Sequence, residues 1–336
     1  METITIKTKP RWQGKLAQAA AYAIAVVIIL VLPLFVDEFI QNVIMKVFIF
    51  AIFAMSLNIM WGYTGYPSLG HAAYFGVAGY TVGIMMVNYG ITNFWVLAPA
   101  GIILAAIVAA ILGVPALRMT GAYFLLVTLA MGQLIFSVAQ KWRTVTGGDT
   151  GLGGIIYPNL HLPWFTLNAH SYYYLVFVLF AISAFVIYLI LHSPFGEALQ
   201  GIRENEPRMK ALGYNTWLYR YIAFIMAGFF AGVAGILFPA FYGIMSPVHV
   251  NVATSAYVML MVVLGSPSVI FGPVLGAAVV VILEQVTIIY EPYRWPLIFG
   301  AVFVLSVMFL RHGLSVYLIR LWRSVACGNL GSERPL

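Results

Sequence analysis

"SYYYLVFVLFAISAFVIYLILHSPFGEALQGIRENEPRMKALGYN", Ser171 to Asn215, changes character halfway along. Ser171–Leu191 is an uncharged run without period-two alternation, dominated by apolar and aromatic residues. About twenty such residues in a helix cross the hydrocarbon core of a bilayer. The remainder carries Glu197, Arg203, Glu204, Glu206, Arg208 and Lys210, a large share of a chain with only 17 basic and 10 acidic residues. A second apolar run resumes at Trp217. The order is therefore membrane helix, charged insert, membrane helix.

The rest of the chain repeats the apolar half of this pattern. Only 8% of its 336 residues are charged and 62% are hydrophobic, where a soluble domain carries roughly 25% charge. Mean hydropathy is +0.97. Lipid satisfies no backbone N–H or C=O, so a spanning chain must be a helix bundle or a closed barrel. Continuous runs select the bundle: an all-α polytopic membrane protein with about 8–10 transmembrane helices. Spans are expected near Leu16–Val36, Phe39–Met60, Ala72–Asn88, Phe94–Pro115, Ala122–Gln140, Ser171–Leu191, Trp217–Pro239, Asn251–Gly265, Pro273–Tyr290 and Pro296–Leu310. The first run is too long for a signal peptide and ends at no A-x-A site, so it is expected to stay uncleaved. The single cysteine, Cys327, excludes an intrachain disulfide and a Cys-based zinc site.

Placing the N-terminus in the cytosol puts Arg118, the insert, Arg311, Arg320 and Arg323 on the cytosolic side, as positive-inside bias requires. Lys141, Arg143 and Arg294 are exceptions. The expected organisation is a cytosolic segment 1–15, a transmembrane domain 16–310 with a cytosolic loop 193–215 and an external loop 141–170, and a cytosolic tail 311–336. The net charge of +7 is scattered over loop ends and does not indicate a nucleic-acid partner. Small residues four apart (Ala105, Ala109 and Gly113; Ala227, Ala231 and Gly235, beside Gly228 and Gly232) predict close helix packing.

Within the insert, Ser193 and Pro194 suit the start of a helix. Phe195, Leu199 and Ile202 form one apolar stripe. Glu206 and Pro207 open a second short helix, bent at Pro207, and Gly213 is a natural stop. A stripe on a charged surface must bury against the bundle, the headgroups or another protein. Elsewhere, "GYTGYPSLGH", Gly62 to His71, reads equally well as a broken segment beside a pathway or as a tight turn capped by Ser68. "TGGDTGLGG", Thr146 to Gly154, lacks the Lys-Ser/Thr of a phosphate-binding loop. Lys46 and Glu284 are ionisable residues inside spans, seven and six residues from the outer ends. That is roughly 10 and 9 Å deep, which permits an ion pair; snorkelling by Lys46 is the other reading.

The insert resembles the cytosolic coupling loop of ATP-binding-cassette importer permeases of the branched-chain amino-acid type (LivM-like). "GYTGYPSLGHAAYFGVAGYT" (Gly62–Thr81), "LRMTGAYFLLVTLAMGQL" (Leu117–Leu134) and "TGGDTGLGG" agree with it. Glu197 stands where many relatives carry a base, and Ala78-Gly79 reverses a common pair. The resemblance implies a permease subunit in a bacterial-type inner membrane, without cofactor or metal. Its partners would be a second, LivH-like permease subunit, two cytosolic ATPase subunits and an extracytoplasmic solute-binding protein. It implies ATPase coupling at Phe195, Gly196, Leu199, Ile202, Arg203, Glu204, Pro207, Arg208 and Gly213. The apolar three would anchor in a groove of the ATPase, and Arg203, Glu204 and Arg208 would set register. Gly65, Ser68, Gly70 and His71 become pathway or gating candidates, and Gly147, Gly148 and Asp149 contacts for the binding protein. The implied substrates are leucine, isoleucine or valine, with urea, short amides or other amino acids as alternatives. A stand-alone carrier would need carboxylates near the midplane, and Glu284 is the sole clear candidate. A membrane enzyme is disfavoured: no H-E-x-x-H occurs, and no Walker A sequence makes the chain itself an ATPase.

Overall fold

The computed structural model describes residues 33, 35–160, 168–267, 269–290, 294–309 and 313–315. Most of the expected first span, the segment 1–15 and nearly all of the tail lie outside these residues. The chain divides into two units, Met1–Asn42 and Val43–Leu336. In the first, the Gln41 carboxamide donates to the carbonyls of Pro33 and Val36 at 2.8 and 2.9 Å.

The helices are α1 (Glu38–Asn58), α2 (Ala72–Val87), α3 (Phe94–Ala116), α4 (Ala122–Lys141), the single turn α5 (Arg143–Thr146), α6 (Ala169–Leu191), α7 (Pro194–Glu204), α8 (Glu206–Ala211), α9 (Thr216–Tyr242), α10 (Val252–Gly265), α11 (Gly272–Tyr290) and α12 (Trp295–Phe309). Six helical segments among the described residues are long and apolar enough to cross a membrane: Glu38–Thr64, Phe94–Ala116, Ala122–Lys141, His170–Leu191, Thr216–Tyr242 and Gly272–Tyr290. Ala72–Val87, Val252–Gly265 and Leu297–Ser306 are shorter apolar helices. The fold is the all-α polytopic bundle expected from the apolar runs. Among the described residues the strands are two residues each, β1 (Leu152–Gly153) paired antiparallel with β2 (Ile244–Met245).

The centre of the second unit is α9, which packs most extensively on α3 and α2. The two small-residue faces meet each other there. A Cβ on Gly228 would strike Ala109, and one on Gly232 would strike Ala105. Gly235 faces the Phe75 carbonyl and Ala78 of α2. In lipid no hydrophobic drive separates helix from solvent, so packing depends on such close approach. Around this seam Phe50, Phe75 and Phe238 interlock, with centroids 5.1–6.4 Å apart.

Along α2, the stretch 142–160 and the segment that follows α9 pack on the helix. Gly76 meets Val250, Gly79 meets Met245, and Gly83 meets Ile155 and Leu152. The stretch 142–160 is therefore a folded cover rather than an open loop. It is tied by the β1–β2 pair and by a Phe94 amide bond to the Asn159 carbonyl at 2.9 Å.

Candidate functional site

The charged insert folds as two short helices, α7 and α8. Ser193 occupies the N-cap position of α7, yet its hydroxyl does not cap the helix; it donates to the Ile190 carbonyl at 2.6 Å. Gly196 turns the corner from α6, where a Cβ would overlap the Leu191 carbonyl. The bend between the helices falls at Asn205 rather than at Pro207. Asn205 leaves helical geometry at φ −154° and ψ 90°, and its carboxamide caps the Arg208 N–H at 3.0 Å. Pro207 then sits in the first turn of α8, where its missing N–H costs nothing. The chain turns away at Gly213, φ +87°, a conformation that favours glycine.

The apolar stripe is spent within the chain. Leu199 is 0% exposed and Ile202 4%, with Ala198 and Gly196 buried beside them. Phe195 stacks on Tyr219 of α9, centroids 5.5 Å apart at 16°. The side chains expected to anchor in a partner's groove therefore lie against the bundle, Leu199 and Ile202 buried and Phe195 half-buried on Tyr219. The opposite face, with Glu197, Gln200, Glu204, Pro207 and Arg208, stays exposed.

Two arginines tie the insert to the glycine-rich link Gly62–His71. Arg203 donates to the Gly62 carbonyl, and its stem lies 3.2 Å from where a Cβ on Gly65 would be. Arg220, buried in the first turns of α9, pairs with Glu206, bonds the Tyr66 hydroxyl and stands 5.0 Å from the Tyr66 ring centroid. Thr216 and Lys210 also bond Glu206 Oε1, at 3.1 and 2.8 Å. Partial burial works to raise the Glu206 pKa, but the Lys210 hydrogen bond, the Arg220 charge and bond and the Thr216 bond outweigh it. The carboxyl is held below its ordinary value. Arg220 was missed in the sequence, although a cation within the apolar run from Trp217 is a signal for function in its own right.

The link itself is packed, irregular backbone. It follows a π-helical turn, Ile59–Tyr63. Gly65 has φ +79°. A Cβ on Gly70 would overlap the Thr128 carbonyl of α4. Ser68 is buried and its Oγ has no hydrogen-bond partner; it does not cap α2, whose N-cap residue is His71. The buried His71 ring lies on Phe53 at 5.5 Å and 12°, with Nε2 2.8 Å from Ser56 Oγ. Ser56 gives its hydroxyl proton to the Phe53 carbonyl at 2.6 Å, so the shared bond is satisfied when His71 carries its proton on Nε2.

Lys46 and Glu284 are brought together. Lys46 is 4% exposed and its Nζ lies 2.8 Å from Glu284 Oε1. The Tyr257 hydroxyl donates to the other Glu284 oxygen, and the Tyr242 ring centroid is 5.8 Å from Nζ. Neither tyrosine was singled out in the sequence, where aromatic residues are too common to mark a site. In the stretch 142–160, Gly147 and Gly148 adopt φ +76° and +63° and shape the turn; Gly148 is buried, whereas Asp149 is exposed.

A bundle of apolar helices with a charged two-helix insert locked to it defines a multi-pass membrane protein. Residues 39–308 match the family described as branched-chain amino acid transport system / permease component, and the chain belongs to that family. It is 30% identical to the high-affinity branched-chain amino acid transport permease LivM of Escherichia coli, over 79% of this chain and 67% of the relative. It is 26% identical to a probable LivM of Methanocaldococcus jannaschii, over 76% and 83%. The LivH permease of Escherichia coli is 23% identical over 72% of this chain and 82% of its own. No solved structure matches the chain significantly.

Proposed function

We propose that this protein is one permease subunit of an ATP-driven importer of branched-chain amino acids, and that α7 and α8 receive the stroke of a cytosolic ATPase. The observation that carries this is the division of the insert into two faces. One face is apolar and consumed inside the bundle; the other is charged and exposed. A connector needs no rigid seat, whereas a part that transmits force does. Mixed charge on the free face supplies register and partner choice. Contact then falls to Glu197, Glu204, Pro207 and Arg208, with Arg203 and Gly213 holding the frame.

The substrate is read from the permeases to which the chain is similar. Similarity to both LivM and LivH supports a second permease subunit as partner, alongside two ATPase subunits and an extracytoplasmic solute-binding protein. Positive-inside bias supports a cytosolic N-terminal segment 1–15, connector 193–215 and tail 311–336, in a bacterial-type inner membrane. Asp149 then faces outward as a contact for the binding protein. The link Gly62–His71, gripped by Arg203 and Arg220, is the element through which the stroke reaches α2.

The test is co-purification from mild detergent with reconstituted leucine uptake, comparing wild type with Glu204→Lys and Arg208→Glu. Both positions are exposed, so both variants should fold. Loss of the ATPase and at least a tenfold fall in uptake, the effect of ~1.4 kcal/mol, is the expected result. Retention of ATPase and uptake in both variants would remove the free face from coupling. Uptake by the isolated chain would make it a stand-alone carrier.

A further inference from the structure

At the connector end of the bundle, a cleft of about 460 Å³ opens between the end of α3, the C-terminal part of α8 and the start of α9. Arg118, Lys210 and Arg220 line it against a single carboxylate, Glu206. Glu206 is engaged by Arg220 and Lys210. Arg118, exposed just past α3, is engaged by no carboxylate among the described residues. Arg220 keeps one guanidinium donor, Nε, buried without a partner. The first turn of α9, a 27-residue helix, also borders the cleft with Thr216 and Trp217 and adds the positive end of its dipole. The cleft therefore retains an excess of positive charge.

An apolar strip leads away from it. Ile107, Ile111 and Val114 of α3 and Leu218 and Ile222 of α9 are exposed large hydrophobics on the two helices that converge there. Trp217, 40% exposed and stacked on Tyr221 at 5.0 Å, sits on the rim. An indole at that position suits the headgroup level of a bilayer. A cationic cleft continued by an apolar strip has the polarity of a phospholipid with a negative headgroup. A free phosphate would use the cations but leave the strip unused.

We propose that this cleft binds the phosphate headgroup of an anionic phospholipid, in the cytosolic leaflet under the orientation proposed above. Its acyl chains lie along α3 and α9. Because the cleft shares Glu206, Lys210 and Arg220 with the seat of the connector, the bound headgroup adjoins the contacts through which α8 is held.

The test is native mass spectrometry of the full chain, with any co-purified subunits, titrated with equal phosphatidylglycerol and phosphatidylcholine. It requires no transport, so its outcome is separate from the fate of the importer reading. Wild type should retain phosphatidylglycerol selectively. Arg118→Gln should weaken retention about fivefold, and Arg118→Gln with Lys210→Gln further, each surface cation contributing a similar factor. Arg118→Lys should restore most of it. Both side chains are exposed, and unchanged melting in phosphatidylcholine confirms folding. Full retention of phosphatidylglycerol by the folded double variant would overturn the proposal. Displacement of the lipid by millimolar inorganic phosphate would also overturn it, assigning the cleft to a free anion.

Discussion

Glu206 Oε1 takes the Arg220 guanidinium, the Lys210 ammonium and the Thr216 hydroxyl together. Of these, Arg220 has the most to lose, because it is buried and its alternative partner is the neutral Tyr66 hydroxyl. Glu206→Gln should therefore destabilise the protein by about 1–3 kcal/mol, below the 3–5 kcal/mol of a fully buried pair because Glu206 is partly solvated. Thermal unfolding in detergent measures this. The same carboxyl gives a pH dependence whose sign is fixed. Its folded pKa is depressed, so its stabilisation is complete above the unfolded value and is lost as pH falls through the folded one. Melting should drop in acid for wild type, and the drop should be smaller in Glu206→Gln. Lys46 and Glu284 allow a cleaner comparison. Glu284→Gln alone strands the buried Lys46, at a cost of about 3–5 kcal/mol, and Lys46→Met strands the half-buried Glu284 at a smaller cost. The double variant should cost clearly less than the two added, and simple additivity in a double-mutant cycle would show that the contact is not energetically coupled.

The helix seam of α9 with α3 was legible from spacing alone, because small residues four apart can only line one face. Gly228→Leu should drive α9 off Ala109 and cost about 1–3 kcal/mol, read as lost melting temperature. The same substitution at the exposed Gly153, which has open space around a Cβ, should be nearly neutral. The insert was legible as two short helices with one apolar stripe, although the Ser193 hydroxyl does not make the expected cap. What the stripe packs on was not, since periodicity tells which residues share a face and nothing about what lies opposite. Asn205 was passed over as the cap because proline is the louder signal, although its carboxamide stands three residues before the N–H it serves. The Glu206–Arg220–Tyr66 cluster was illegible for another reason: its members lie up to 154 residues apart, and only the folded chain places Tyr66 against Arg220.

Across the whole bundle, α2 joins the link gripped by Arg203 and Arg220 at its start to a cover laid along its length, with Val250 on Gly76, Met245 on Gly79, and Leu152 and Ile155 on Gly83. If the cover shifts during transport, fixing it should stop the cycle. The register partners Leu152 and Met245 offer a place to do so with paired cysteines. Oxidation of Leu152→Cys with Met245→Cys should block uptake and reduction should restore it; unimpaired uptake by the cross-linked protein would mean that the cover is static. The two-faced insert has a further consequence for how such a protein can diversify. The residues that seat it, Leu199, Ile202 and Glu206, are different from those it leaves exposed, Glu197, Glu204 and Arg208. With ATPase coupling at that face as proposed, a duplicated copy could acquire a new motor by altering surface charges alone, with its membrane architecture left as it was.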